Sequence, residues 1–323
     1  MTIRRYLTLA TAVCLTFGTH AFAQGSYPTK PLRLIVPFTP GGGADILARL
    51  VVQRLAEPLK QSVVVDNRPG AAGIVGTELV AKSPPDGYTM LMGAPGLAIN
   101  PSLYVRLPYD TLRDLVPVSL VGAVPNLVVV HPSVPVKNIK ELTALARSKP
   151  GRLNYASPGR GTSLHFAAEL FRSRTGIDIV HVAYKGGAQA ITDLVGGHVD
   201  LMFDVLPASL PYVKSGRLRA LAITSAQRST LVPDLPTVAE SGLEGFLAIT
   251  WNGILLPSNT PRDIVMRLHQ SLQHAVLGPG AKERYAAIGT DAVMNTPEEF
   301  ADFIRTETAK WAKVAAAAGI KPE

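Results

Sequence analysis

Three features of the sequence predict an α/β protein of two lobes with a ligand cleft between them. Short β-branched runs alternate with amphipathic stretches through short Gly/Pro loops, the pattern of right-handed βαβ units on a parallel sheet. The alternation restarts near Gly122, and from Trp251 the texture changes to two long helices with no sheet of their own. Such helices must cover a sheet made elsewhere. The first block has only three clear strands, so the C-terminal segment is expected to return to it. The expected lobes are residues 24–122 with 248–323, and residues 123–247, joined by two crossings.

Taken in order, Leu32–Val36 is the first buried strand, and it runs into Pro37-Phe38-Thr39-Pro40-Gly41-Gly42-Gly43. The glycines let backbone approach whatever sits above the strand end, because no Cβ intervenes. The next helix is expected over 45–59, with Leu47, Val51, Leu55 and Leu59 at i, i+4 spacing. Asp45 suits its N-cap or first turn, where an acid satisfies free N–H groups. Residues 63–65 form a second strand, 71–82 a second helix, and 88–92 a third strand ending in Gly93-Ala94-Pro95-Gly96. After the restart, strands are expected at 126–130, 153–156, 179–182, 199–203 and 219–224. Helices are expected at 138–148, after Thr162, and at 188–195, and the long C-terminal pair covers 261–277 and 297–318.

Composition narrows the function classes. The chain has 323 residues, 47% hydrophobic and 17% charged, enough for a real core and too apolar for disorder. A net charge of +8 raises the question of nucleic acid, but the bases are scattered and aromatics make up only 6%. No basic–aromatic stacking surface results. At the N-terminus, Arg4-Arg5 precedes an apolar run over 6–18, and Ala21-Phe22-Ala23 supplies a small-x-small cleavage pattern. The run is shorter than the ~20 residues a membrane span requires. Residues 1–23 therefore read as a cleavable export signal, cut after Ala23, and Cys14 leaves with it. The mature chain then has no cysteine for disulfides, thiolate metal sites or nucleophilic catalysis.

The catalytic motifs are incomplete. Tyr155-Ala156-Ser157-Pro158-Gly159 approaches G-x-S-x-G, but Tyr155 replaces the first glycine. Pro158 also removes an N–H that an oxyanion hole needs. His165 lies too close to Ser157 for the Ser…Asp…His order of an α/β-hydrolase. The mature histidines 131, 165, 181, 198, 269 and 274 include no H-x-x-x-H pair, so no metal site is expected. Gly70, Gly73 and Gly76 have the wrong spacing for a dinucleotide fingerprint and read as a turn and close helix packing. No cofactor is expected.

What remains is binding by backbone at strand ends. Loops 40–44, 93–96 and 157–162 each lead to a helix N-terminus. With the first two on one lobe and the third on the other, they face each other with free N–H groups and positive helix ends, which suits a carboxylate. Thr162 and Ser163 supply hydroxyl donors or caps. Arg160 reaches a second ligand carboxylate or stays solvated. Asp204 orients a water, binds a ligand amine or hydroxyl, or simply turns the chain.

Several ordered segments carry a resemblance. They are Val36-Pro37-Phe38-Thr39-Pro40-Gly41-Gly42 with Asp45, Asp66-Asn67-Arg68-Pro69-Gly70-Ala71-Ala72-Gly73, and Ala98-Ile99-Asn100-Pro101-Ser102-Leu103-Tyr104. To these add Tyr155-Ala156-Ser157 with Gly159, Gly161, Thr162 and His165, then Tyr184-Lys185-Gly186 and Pro236-Thr237 with Glu240 and Gly242. Over essentially its whole length the chain resembles the Bug-type receptors of the tripartite tricarboxylate transporter group. The resemblance implies a periplasmic-binding-protein-like fold (type II-like), capture of a small carboxylated ligand, and delivery to membrane permease subunits. The export signal places the mature chain in the periplasm, and a monomer is expected. Carried over, the contacts are Phe38, Gly42, Gly43, Asp45, Gly93, Ala94, Ser157, Gly159, Thr162, His165 and Asp204, through backbone and bridging waters. Asp45, being negative, is expected to act as a cap or through water. The chain departs from the family at Gly93-Ala94-Pro95-Gly96-Leu97, which is less polar than in many relatives and favours an acid with an aromatic or apolar body. Ala183 replaces a common proline, with no functional meaning attached. A ligand-sensing accessory of a sensor kinase is the alternative role, and a serine hydrolase the third.

Overall fold

The computed structural model describes residues 27–322; the expected export signal and Cys14 lie outside the described residues. In chain order the elements are β1 (Leu32–Val36), α1 (Gly43–Leu59), β2 (Val63–Asn67), α2 (Ile74–Ala81), β3 (Thr89–Gly93) and α3 (Gly96–Ile99). Two consecutive strands follow, β4 (Leu115–Val124) and β5 (Asn126–Val130), with Pro125 between them, and each joins a different sheet. Next come α4 (Ile139–Ser148), β6 (Asn154–Ser157), α5 (Ser163–Thr175), β7 (Val180–Ala183), α6 (Gly187–Val195), β8 (Leu201–Val205), α7 (Leu206–Lys214) and β9 (Arg219–Ile223). The chain ends with β10 (Thr250–Pro257), α8 (Arg262–Leu277), α9 (Ala281–Ala287) and α10 (Pro297–Ala317).

The strands form two five-stranded sheets, ordered β2-β1-β3-β10-β4 and β7-β6-β8-β5-β9. Both are mixed, not purely parallel as the alternation predicts: β10 is antiparallel to β3 and β4, and β5 is antiparallel to β8 and β9. The reason is the connection between sheets. Strands β3 and β8 run toward the junction, while β5 and β10 start from it and run outward. The junction itself is tied by side chains. Asn126 Nδ2 donates to Ala248 O at 2.7 Å, Thr224 Oγ1 donates to the same carbonyl at 2.6 Å, and Thr250 Oγ1 donates to Asn126 Oδ1 at 3.2 Å.

Both faces of each sheet are covered, so central strands are apolar throughout. Along β5, Val128 and Val130 enter one core with Phe166, Phe171 and Phe203, while Leu127 and Val129 enter another with Leu194 and Met202. In the first sheet Leu34 and Val36 pack with α1 and α8, and Ile35 packs on the opposite face with Leu91, Trp251 and Phe300. Helix α10 starts at a capping box, Thr296 with Glu299, which satisfies first-turn donors reciprocally. Its early residues Phe300 and Ile304 join the Trp251 core, but Trp311, Val314 and Ala315 join the Phe166 core of the second sheet. The last helix thus belongs to neither core alone, a feature the sequence pattern does not anticipate.

Candidate functional site

The C-terminal ends of the parallel strands carry the glycine loops. After β1, Gly41 takes φ +81° and Gly42 is an extended N-cap of α1 with no side-chain cap. The first N–H groups of that helix, at exposed Gly42 and Gly43, are left for ligand or water. Asp45, only 2% exposed, is the post to which this loop is tied. Its Oδ2 accepts from Gly41 N–H and from Arg49 Nε at 2.9 Å each, and its Oδ1 accepts from Asn67 Nδ2 at 2.9 Å. Asn67 Nδ2 also reaches Phe38 O at 3.1 Å, so the end of β2 holds the loop after β1. The Arg49 hydrogen bond, helped by Gly41 and Asn67 and opposed by burial, holds the Asp45 carboxyl down at about 2. Asp45 therefore shapes the loop, and its oxygens are occupied within the protein. Asp45→Ala is expected to cost about 2–4 kcal/mol, because it removes the acceptor shared by Gly41 N–H, Arg49 Nε and Asn67 Nδ2. Urea unfolding of the variant checks this, and a loss below about 0.5 kcal/mol would be too small for such a post.

Sequence reasoning misses the loop after β2 as a part of the site. Gly70, Ala71, Ala72 and Gly73 all have positive φ, at +143°, +44°, +53° and +89°. Two consecutive left-handed alanines cost roughly 1–2 kcal/mol each and occur where surrounding structure imposes them. This turn displaces the start of the second helix from the expected 71 to Ile74. Gly73 lies against Pro37 and Phe38: an added Cβ would sit 3.5 Å from Pro37 Cβ and 3.8 Å from Phe38 Cζ. Half-buried Phe38 thus stands between two backbone loops. The packing role read for Gly76 holds, since a Cβ there would sit 2.8 Å from Pro37 Cβ.

The third loop is more buried than the sequence suggests. A Cβ on Gly93 would collide with Leu255 Cδ1, and Gly93 O accepts from Asn252 Nδ2 at 3.3 Å. Ala94 is 7% exposed and Leu97 3%. Leu97 is turned into the Trp251 core, so it does not furnish the less polar ligand wall read from its neighbours.

On the second lobe, Thr162 caps α5: its Oγ1 accepts from His165 N–H at 3.2 Å and donates to Gly159 O at 2.8 Å. Gly159 and Gly161 have φ +150° and +81°. Ser157 is fully buried; its Oγ lies 2.7 Å from His181 Nε2 and accepts from Gly159 N–H at 3.2 Å, which pins the turn. His181 belongs to none of the motifs read from the sequence. It stacks on His165 with centroids 4.1 Å apart and on Tyr155 at 4.8 Å. His165 Nδ1 accepts from Gly161 N–H at 3.2 Å, so the imidazole holds the loop from beneath. Burial, then the neighbouring His181, lowers the His165 pKa to about 3, which keeps that acceptor unprotonated. Below it, Tyr155 and Arg172 both hydrogen-bond Glu169. Asp204, 3% exposed, accepts from Ser209 Oγ of α7 at 2.7 Å, and burial raises its pKa to about 6.

The predicted residues thus divide into two groups. Phe38, Gly42, Gly43, Gly159 and Thr162 present backbone or side chain at the strand ends. Asp45, Gly93, Ala94, Ser157, His165 and Asp204 are buried supports beneath them. The lobes meet where Gly161 faces Leu103, since a Cβ on Gly161 would come within 2.6 Å of Leu103 Cδ1. A hollow of about 480 Å³ beside Pro125, between Leu231 and Leu277, is lined by none of these residues. Leu206 and Gly280 bring the starts of α7 and α9 to this hollow. These are short helices of 9 and 7 residues, whereas the longer α1 and α5 begin at the glycine loops, which are the stronger candidate. Among the described residues no group of three His, Cys, Asp or Glu side chains could hold a metal ion.

Two α/β lobes joined at a hydrogen-bonded hinge, with backbone loops at the strand ends of each, define a two-lobed solute-binding protein. The chain belongs to the tripartite tricarboxylate transporter family receptors (TctC), whose family model matches residues 47–320. It is 39% identical over 324 residues to Protein BugT of Bordetella pertussis, covering 99% of each chain. Among solved structures it is similar to R. palustris Rpa4515 with adipate, at 38% identity and TM-score 0.80 over 92% of this chain and 100% of that one. It is also similar to MatC (Rpa3494) from Rhodopseudomonas palustris with bound malate, at 30% identity and TM-score 0.75 over 89% and 99%.

Proposed function

We propose that the protein is a periplasmic receptor that binds a small aliphatic dicarboxylate between its lobes and delivers it, as a monomer, to a membrane transporter of its family. The observation that carries this is that α1 and α5 each begin directly after a glycine loop, on different lobes. A carboxylate at each helix end accepts otherwise unused N–H groups and meets a positive dipole end. The likeness to structures holding adipate and malate supports a dicarboxylate. Binding is reversible: lobe closure surrounds the ligand and no bond is made or broken. The export signal expected over 1–23 supports the periplasmic location. With Leu97 in the core, its side chain no longer supports an aromatic acid, and the neighbours holding adipate and malate favour an aliphatic one.

The test is a thermal-shift screen of the mature chain against adipate, malate, benzoate, sugars and amines. A ligand at 100 times its Kd stabilises by about 2.7 kcal/mol. Adipate or malate is expected to raise the melting temperature most. A shift with sugars or amines and none with any carboxylate would sink the reading, and benzoate ahead of adipate would move the ligand class to aromatic acids.

A further inference from the structure

Resting on that carboxylate-receptor reading, we infer that Gly96 and Asn100 form a clamp on the Ala72 carbonyl that holds the left-handed Ala71–Ala72 turn in place, which makes Asn100 a positioning residue for ligand binding. Gly96 and Asn100 are four residues apart and share one side of a helical turn. They act on one atom. Asn100 Nδ2 donates to Ala72 O at 3.3 Å, and a Cβ on Gly96 would lie 3.1 Å from that same oxygen. Gly96 therefore clears the space that the carbonyl enters, and Asn100 supplies the bond that keeps it there.

Two further observations point the same way. Asn100 is 1% exposed, and besides the Ala72 carbonyl its amide adjoins the buried Tyr109 hydroxyl, which also adjoins Thr77. A buried amide is costly unless hydrogen-bonded, so the bond donated to Ala72 O is part of what places Asn100 there. On the far side of the turn, Thr77 Oγ1 donates to Gly73 O at 2.8 Å, so the carbonyls of consecutive residues 72 and 73 are both held by side chains. Left-handed alanines without such support relax to negative φ, because Cβ crowds the backbone there. Relaxation would reorient the amides of 71–73 and shift the Gly73 contact with Pro37 and Phe38. The clamp thus couples the loop after β3 to the loop after β2, and through Phe38 to the loop after β1. The first lobe presents its backbone donors as one unit.

Because the clamp holds Ala72, one of the two left-handed alanines, glycine at that position should remove much of the need for it. Asn100→Ala is expected to weaken adipate binding about tenfold, the order of one hydrogen bond. Gly96→Ala should weaken it in the same direction by pushing on the carbonyl. Adding Ala72→Gly to Asn100→Ala should restore most of the loss, since glycine adopts positive φ unaided. Calorimetry with adipate, or with malate if adipate is not bound, reads these arms. Hydrogen exchange of the ligand-free protein reads the turn directly, with faster exchange at residues 72–74 expected in Asn100→Ala. Unchanged affinity and exchange in Asn100→Ala, or a loss that Ala72→Gly does not restore, would overturn the clamp. Should the wild type bind no carboxylate at all, the receptor reading falls and exchange decides alone: faster exchange at 72–74 supports the clamp, and unchanged exchange overturns it.

Discussion

Trp311→Ala is expected to destabilise the protein by about 3–5 kcal/mol, in the range of large aromatic truncations in packed cores. Trp311 is 1% exposed and meets the Phe166 ring edge-on at 5.8 Å between centroids. Its indole N–H donates to Glu307 Oε2 at 2.9 Å, and Lys310 Nζ lies 4.2 Å from its ring centre. The substitution therefore opens a cavity and removes a partner from a buried carboxylate. It also acts between the lobes. Lys310 bonds the Leu247 carbonyl at 3.2 Å, beside the second crossing, and Phe300 and Ile304 anchor the same helix in the other core. Loosening Trp311 thus frees one end of a helix that packs on both lobes. Chemical unfolding measures the effect, with Trp311→Phe as the control that keeps most of the volume. The account is wrong if the alanine variant loses less than the phenylalanine variant.

Asp204→Asn is expected to stabilise the protein at neutral pH and to leave it nearly unchanged near pH 4. Burial is the largest cause raising the Asp204 pKa from 3.8 to about 6, only partly opposed by the Ser209 and Val205 hydrogen bonds. For an acid whose folded pKa is raised, the folded state holds the proton more tightly than the unfolded chain. Its stability is then greatest below the unfolded pKa, declines as pH rises from about 4 to about 6, and is flat above that. A shift of this size corresponds to roughly 2–3 kcal/mol at pH 7. Asparagine keeps an oxygen for Ser209 and carries no charge, so most of the difference should be recovered. Urea unfolding at pH 4 and pH 7 separates the cases. An equal change at both pH values would mean that charge is not the cause.

Much of the fold is legible because apolar runs bounded by Gly and Pro leave few alternatives. At β5, Leu127-Val128-Val129-Val130 is buried on both faces and reads as a strand from its β-branched composition alone. The missed elements carry misleading punctuation. β10 contains Asn252 and Gly253, which suggest a turn; Gly253 is needed because a Cβ there would collide with the Phe300 ring. β4 contains Pro117, which an edge strand tolerates and a central one does not. α7 carries Pro207 in its first turn and Pro211 within it. Gly253 is thus permitted by a contact distant in sequence, and Pro117 by the place its strand takes at the edge of the sheet.

The site divides along the same line. The glycines of the loop after β1, Thr162 as the cap of α5, and the family pattern through both are local chemistry, and they are visible in order along the chain. The left-handed conformation of Ala71 and Ala72 is not, because alanine has no preference for it and takes it only where other side chains hold it. The pairing of Ser157 with His181, 24 residues away, depends on β6 lying beside β7. Whether Asp45 and Asp204 face a ligand or the interior depends on burial, which arises only once the sheets and helices have packed. Local sequence carries the strand-end loops and their glycines, since these follow from backbone sterics. Packing assigns which side chains support those loops from beneath, since that depends on neighbours brought together by the fold.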